Sequence, residues 1–408
     1  MIHISLEGIV KTKEDENALI DQIEKVCHEY KVLFEIDHGI GSIYVCPCGV
    51  IEVNISNYYA ILKTNTALVG PGYHAFVCEL FDKIQKGSHI YLSLDDECDY
   101  LEDHDLNRIK DLAFYPYMHR LMDSFSKMKE EDEATYAWDD KSYLPVAKPK
   151  SVITPFGYIY ANECQSVSLQ EACSRFYIWN EVEKDALFYR NSALVSLWCD
   201  CLFENSLYDE AALNLAKSIC IALEKAHELD KELPLPIDEY QMLCRLLNRE
   251  NQIFDVDQYP KGDVGYRKNE VFYVYGNWFI YFQGNAIQSF DGHTMILKIV
   301  NEEETLLNMK ITGYKSNEKM DFAYRYLNTV DSMDSLDFED GAMRVKSVLH
   351  ELHDGTNTLY LQAQCIKENE MLMINAECSD MSFYQQAIHT LENMQMIRQE
   401  RSEVDVKV

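Results

Sequence analysis

The sequence is short of several features, and each shortage excludes a class of protein. Across its 408 residues no uninterrupted apolar run approaches the ~18 residues of a membrane-spanning helix. The opening MIHISLEGIV has no basic stretch ahead of an apolar core, and Glu7 interrupts it, so no secretory leader is expected. Basic residues are scarce: 37 Lys and Arg face 68 Asp and Glu, for a net charge of −31, and the excess is spread along the chain. Such a surface repels nucleic-acid phosphates and anionic lipid heads, so neither nucleic acid nor membrane is expected as a partner. The thirteen cysteines are odd in number and scattered, without a C-x₂-C pair. That usage fits reduced thiols in a cytoplasmic protein better than a disulfide framework. Gly-x-Ser-x-Gly, Walker A and cysteine-nucleophile signatures are missing, as is any repeat of fixed period.

What is present is material for packed cores. Hydrophobic residues make up 47% of the chain and aromatics 12%, and the length is that of two or three domains. The expected fold class is mixed α/β to α+β, multidomain. Residues 1–128 read as an N-terminal mixed α/β domain and 129–150, with charge clusters and two prolines, as a linker. Residues 151–254 read as a mainly helical region after one strand at Ser151–Tyr160. Residues 255–408 read as a C-terminal α+β domain, an antiparallel sheet covered by helices. Within it, strands are expected at Val271–Phe282, Thr294–Val300, Leu306–Tyr314, Arg344–Leu352, Thr358–Ile366 and Met371–Ala376. Helices are expected at Phe322–Val330 and Met381–Ile397, and hairpin turns at Asp354-Gly355 and Lys367–Glu370.

The stretch LVGPGYHAF, Leu68–Phe76, places Gly70, Gly72 and Ala75 in the G-x-G-x-x-[G/A] spacing of a dinucleotide loop. A helix follows, with Tyr73, Phe76, Val77, Leu80, Phe81 and Ile84 on one face. Asp95 and Asp96 end the next expected strand, where a ribose-binding acid would stand. Two features oppose a dinucleotide. The lead-in KTNTALV is too polar for a central parallel strand, and Pro71 removes a backbone donor. The expectation is a Gly-Pro-Gly turn into a helix whose exposed N-terminus can hold an anion through Gly70, Gly72, Tyr73 and His74. No cofactor is expected.

Other constellations are weaker. The acidic run Asp95–Asp105 fails the EF-hand pattern, with Tyr100 where glycine is required, and reads as a solvated loop before a helix. Cys46 and Cys48 flank Pro47, and Cys199 and Cys201 flank Asp200; packed thiols are expected, and no metal. His350 and His353 fall in a hairpin pattern, where they face opposite sides. Arg190 has Ala186, Leu187, Ala193 and Leu194 as helix neighbours, so a buried charge with an intramolecular ion-pair partner is expected there.

Taken together, the residues point to a non-enzymatic protein-binding protein. A regulator, adaptor or immunity-like neutralising protein would use an acidic surface, with some of the 27 tyrosines, against a protein partner of basic character. The alternatives are a nucleotide- or phosphate-dependent enzyme centred on Gly70–His74 and a structural subunit of a larger assembly.

Overall fold

In the computed structural model the described residues are 2–56, 58–129, 134–138, 143–202, 210–254, 265–301, 304–323, 327, 333–340, 343–351 and 358–396. Among them, no helix is long and apolar enough to cross a membrane.

The N-terminal part is built on period-two alternation. β1 (His3–Ile9) turns Ile4 and Leu6 inward and Ser5 and Glu7 outward. α1 (Lys13–Tyr30) starts at a capping box, Thr12 with Asp15, and ends where Lys31 takes the left-handed conformation. It buries Leu19, Ile23, Val26 and Cys27 on one face. Four strands follow in a meander: β2 (Leu33–Asp37), β3 (Ile40–Cys46), β4 (Gly49–Ser56) and β5 (Tyr59–Asn65). Then come α2 (Pro71–Gly87) and β6 (Leu92–Asp96). The strands form one sheet in the order β2-β3-β4-β5-β1-β6, with every neighbouring pair antiparallel. Ile43, Ile51, Val53, Ile55, Ala60 and Leu62 join Ile4 and Leu6 on the inner face, in one core with the buried faces of α1 and α2. The antiparallel order explains the polar lead-in: β5 buries Leu62 and Thr64 while Lys63 faces solvent and Asn65 is half-exposed, as a strand with one open face allows.

The acidic loop leads into two single turns, α3 (Tyr100–Asp103) and α4 (Leu106–Ile109), and then α5 (Tyr115–Ser126). The helix expected after the acidic run is present, with α4 and α5 joined through a π turn at Lys110–Phe114. Pro116, just beyond, has no N–H for the carbonyl of Leu112, which disrupts regular α-helical bonding at that point.

Within 129–150, the expected linker, β7 (Ala134–Thr135) and β8 (Tyr143–Pro145) are sheet strands. The expected strand at Ser151–Tyr160 is a hairpin, β9 (Ser151–Thr154) and β10 (Gly157–Tyr160), and β7 lies parallel to β9. Four helices follow: α6 (Leu169–Phe176), α7 (Ala186–Cys199), α8 (Glu210–Leu229) and α9 (Ile237–Leu246).

Beyond Glu270 the chain makes two antiparallel sheets where sequence periodicity suggests one. Val271–Phe282 is a hairpin, β11 (Glu270–Tyr275) and β12 (Trp278–Gln283), turning at Gly276-Asn277. β8 adds to β11, and β20 (Gln395–Met396) adds to β12. The second sheet contains β13 (Ile287–Asp291), β14 (Thr294–Asn301), β15 (Glu304–Lys315), β16 (Asp334–Asp340), β17 (Met343–Glu351), β18 (Leu359–Lys367) and β19 (Glu370–Cys378), in the order β13-β14-β15-β19-β18-β17-β16. The turn at Lys367–Glu370 has Glu368 in the left-handed region, whereas Asp354-Gly355 lies outside the described residues. α10 (Met381–Asn393) packs against this sheet and β12. Of the helix expected at Phe322–Val330, Phe322 and Ala323 are not helical; 324–326 and 328–330 lie outside the described residues. The sequence after Met396 is outside them too. Helices and antiparallel sheets together place the chain in the mixed α+β multidomain class.

Candidate functional site

The chain leaves β5 through a turn fastened to the N-terminal strand: the backbone N–H of Thr66 donates to the Ile2 carbonyl, and those of Val69 and Gly70 donate to the Thr66 carbonyl. Gly70 holds φ +122° and α2 starts directly after it. A second segment, about 110 residues further along the chain, closes onto this turn. Trp179 N–H donates to the Val69 carbonyl at 3.1 Å, and Gly72 N–H donates to the Trp179 carbonyl at 3.0 Å. A Cβ at Gly70 would lie 2.4 Å from the Trp179 oxygen, and one at Gly72 would lie 2.1 Å from the Glu181 oxygen. The G-x-G spacing is therefore used for close backbone approach.

The expected exposed helix N-terminus is corrected accordingly. Gly70, Gly72, Tyr73 and His74 are all buried; Pro71 has no N–H, and that of Gly72 is engaged by Trp179. Tyr73 shares a hydrogen bond with the Thr64 hydroxyl at 3.1 Å. The covering segment is held by Trp179 between Phe76 and Phe188, with ring centroids 5.2 and 4.9 Å away, and by the ion pair Lys110–Glu181 at 2.7 Å. Lys184 Nζ stands 4.9 Å from the Trp179 ring centre.

Behind this turn lies a polar cluster. His74 and Cys78 are i and i+4 on α2 and share a face. His74 Nδ1 is 2.9 Å from Thr66 Oγ1, and Nε2 is 2.9 Å from Asp96 Oδ1. The Thr66 hydroxyl donates to the Ile2 carbonyl at 3.1 Å, which assigns Nδ1–H as the donor to Thr66. Cys78 Sγ donates to Asp96 Oδ2 at 3.4 Å. Asp96 also accepts the backbone N–H groups of Cys98 at 2.9 Å and Tyr100 at 2.6 Å. The His74 side chain is 0% exposed and that of Asp96 8%.

Burial by itself would raise the Asp96 carboxyl, but the hydrogen bond and charge of His74, with the Cys98 and Tyr100 N–H groups, outweigh it and hold the group at about 2. The Cys78 thiol is pushed far up, first by burial and then by the Asp96 charge. Cys98 is raised to about 12 by the same two causes. The thiols are thus protonated and inert as nucleophiles in this state. Among the described residues, His74, Cys78 and Asp96 are the group in which three ligand-type side chains converge, with their donor atoms all within 4.8 Å of one another.

Sequence reasoning singled out His74 as a helix-flank residue and Asp96 as a strand-end acid, without joining them. Cys78 was missed altogether, although its i+4 spacing from His74 was a readable signal. Asp95 points the other way, to solvent.

The remaining candidates are dispersed. Arg190 is half-buried rather than buried, and its Nε and Nη2 donate to Asn191 Oδ1 at 3.1 and 2.9 Å. α7 turns Asn191, Leu194 and Trp198 inward, which leaves Arg190 on the flank of the buried face. Asn191 is the buried polar residue, donating to the carbonyls of Ser174 and Tyr177. Among the described residues, Cys46, Cys48, Cys199 and Cys201 enter no disulfide. In the acidic run, Asp105 caps α4 and Asp103 pairs with Arg108 at 2.7 Å. His350 sits on β17, and His353 lies outside the described residues.

No known family model matches the chain, and neither does any curated protein sequence. Among solved structures, one of a protein from Bacteroides thetaiotaomicron VPI-5482, at 1.50 Å resolution, is similar over 30% of this chain, with 13% identity and a TM-score of 0.23. The match spans 46% of that protein, less than half its length.

Two outcomes are expected from this geometry. Gly72→Ala drives a Cβ into the Glu181 carbonyl and Trp179 ring, so it lowers unfolding stability by about 1–3 kcal/mol in urea melts, with no ligand needed to see the effect. An unchanged midpoint would show that the Trp179 segment is not seated there. The second outcome concerns acid. Because the folded Asp96 carboxyl lies below its ordinary 3.8, its contribution, about 2 kcal/mol, is complete above that value and fades as pH falls toward about 2. Asp96→Asn, compared with wild type in a chelating buffer, is less stable at neutral pH, and the difference narrows across that acid window. A difference independent of pH would refute the assignment.

Proposed function

We propose that the chain is a non-enzymatic protein-binding protein that takes a segment of basic character on an acidic, tyrosine-containing surface. The observation that supports this reading is the outer face of the six-stranded sheet. A solvated antiparallel face is ordinarily polar. Here Ile9 and Ile40 stand 63% and 67% exposed, with Tyr44 and Tyr59 also open to solvent. Carboxylates are interleaved with them: Glu35 lies on the same face of β2, Glu52 on β4 and Asp95 on β6. The Tyr59 hydroxyl donates to Glu7. Lys63 stands 3.4 Å from Glu52. Apolar anchors interleaved with acids suit a partner that brings aliphatic contact and lysine or arginine together.

The enzyme alternative loses its main support, because the helix N-terminus it relied on is covered by Trp179. The protein-binding reading is tested by native capture from lysate with the immobilised chain, comparing wild type with a Glu35→Lys/Tyr44→Ser/Glu52→Lys variant. All three positions are exposed, so the fold is retained. Wild type is expected to hold a stoichiometric basic partner whose affinity falls as salt rises, and the variant to lose it. Retention by the variant, or binding indifferent to salt, refutes the open face as the binding surface.

A further inference from the structure

The geometry points to a buried site for a zinc-class divalent transition-metal ion, formed by His74 Nε2, Cys78 Sγ and an Asp96 carboxylate oxygen. We propose it as a structural site that ties α2 to β6, independent of the open face on the other side of the sheet.

The donor spacing is close to what an ion requires. Around tetrahedral zinc, with bonds of ~2.0–2.3 Å, ligand atoms sit roughly 3.3–3.7 Å apart. Here Nε2 to Oδ1 is 2.9 Å, Sγ to Oδ2 is 3.4 Å, and all three donors fall within 4.8 Å. Opening the His74–Asp96 contact by about half an ångström admits the ion. On binding, the protons of Nε2–H and Sγ–H leave to solvent. Neutral imidazole, thiolate and carboxylate then carry two negative charges against two positive, and a neutral complex suits a buried position.

The surrounding groups hold the donors as metal ligands are held. Thr66 takes Nδ1–H and so leaves Nε2 facing the site; Cys98 and Tyr100 orient the carboxylate through their N–H groups. One nitrogen, one sulfur and one oxygen donor favour zinc or cobalt over magnesium or calcium, which require oxygen cages.

The test is to strip the purified chain with a chelator, remove the chelator and titrate with cobalt(II), then zinc(II). The expected result is one cobalt per chain, with the visible bands of a tetrahedral ion and a thiolate-to-cobalt charge-transfer band in the near ultraviolet. Cys78→Ser, confirmed folded by circular dichroism, loses the charge-transfer band and binds at least tenfold more weakly. Thr66→Val keeps the band but weakens binding by about 10- to 100-fold. Zinc raises the Tm of wild type and leaves that of Cys78→Ser unchanged. A folded wild-type chain that takes up no cobalt at micromolar concentration overturns the proposal. So does a cobalt spectrum that is the same in Cys78→Ser, since other thiols would then be the ligands.

Discussion

The reciprocal pairing of Val69–Gly72 with Trp179 is the constraint on which the rest of the N-terminal part depends. Two backbone hydrogen bonds fix the start of α2, and two positions without a Cβ let the chains meet. Once that start is fixed, the helix period determines what lies behind it. Residue 74 faces the Thr66 turn, and residue 78, one turn on, reaches the end of β6. The same pairing engages the Gly72 N–H that an anion would need. Closing the helix end and building the His74 cluster are thus two results of one contact.

Much of the local structure was readable from the sequence. α1 and α2 show in the sequence as apolar stripes because each buries one face against one sheet. Less was readable where a short segment borrows order from a distant one. β8 has three residues and no periodicity, and its strand state comes from pairing with β11 far along the chain. The division of Val271–Phe282 was visible only in the Gly-Asn pair, a turn signal inside a run otherwise apolar enough to pass as one strand. In the site, Gly70 and Gly72 were legible as a Gly-Pro-Gly turn into a helix, but the segment that closes onto them was not: Trp179 is too remote for any local pattern to name.

The acidic composition acquires a place in this architecture. A net charge of −31 opposes compaction unless the charges stay in water. An antiparallel sheet with one uncovered face holds carboxylates at outward positions without desolvating them, as at Glu52 between the buried Ile51 and Val53. The isoleucines and tyrosines on that face have no such explanation from solubility, which makes them more informative than the acids around them.

Asp95 and Asp96 bring the two faces together. Adjacent residues of a strand point to opposite sides, so a single dipeptide supplies a solvent-facing acid to the open surface and an inward acid to the His74 cluster. β6 is an edge strand, paired among the described residues to β1 alone, where register is least protected. A slip of one residue would turn Asp96 away from His74 and carry Leu92 and Leu94 to the open face. The hydrogen bonds from His74, Cys98 and Tyr100 to Asp96 oppose that slip. The buried cluster therefore fixes the register of the sheet edge, and with it which side chains of β6 stand on each face.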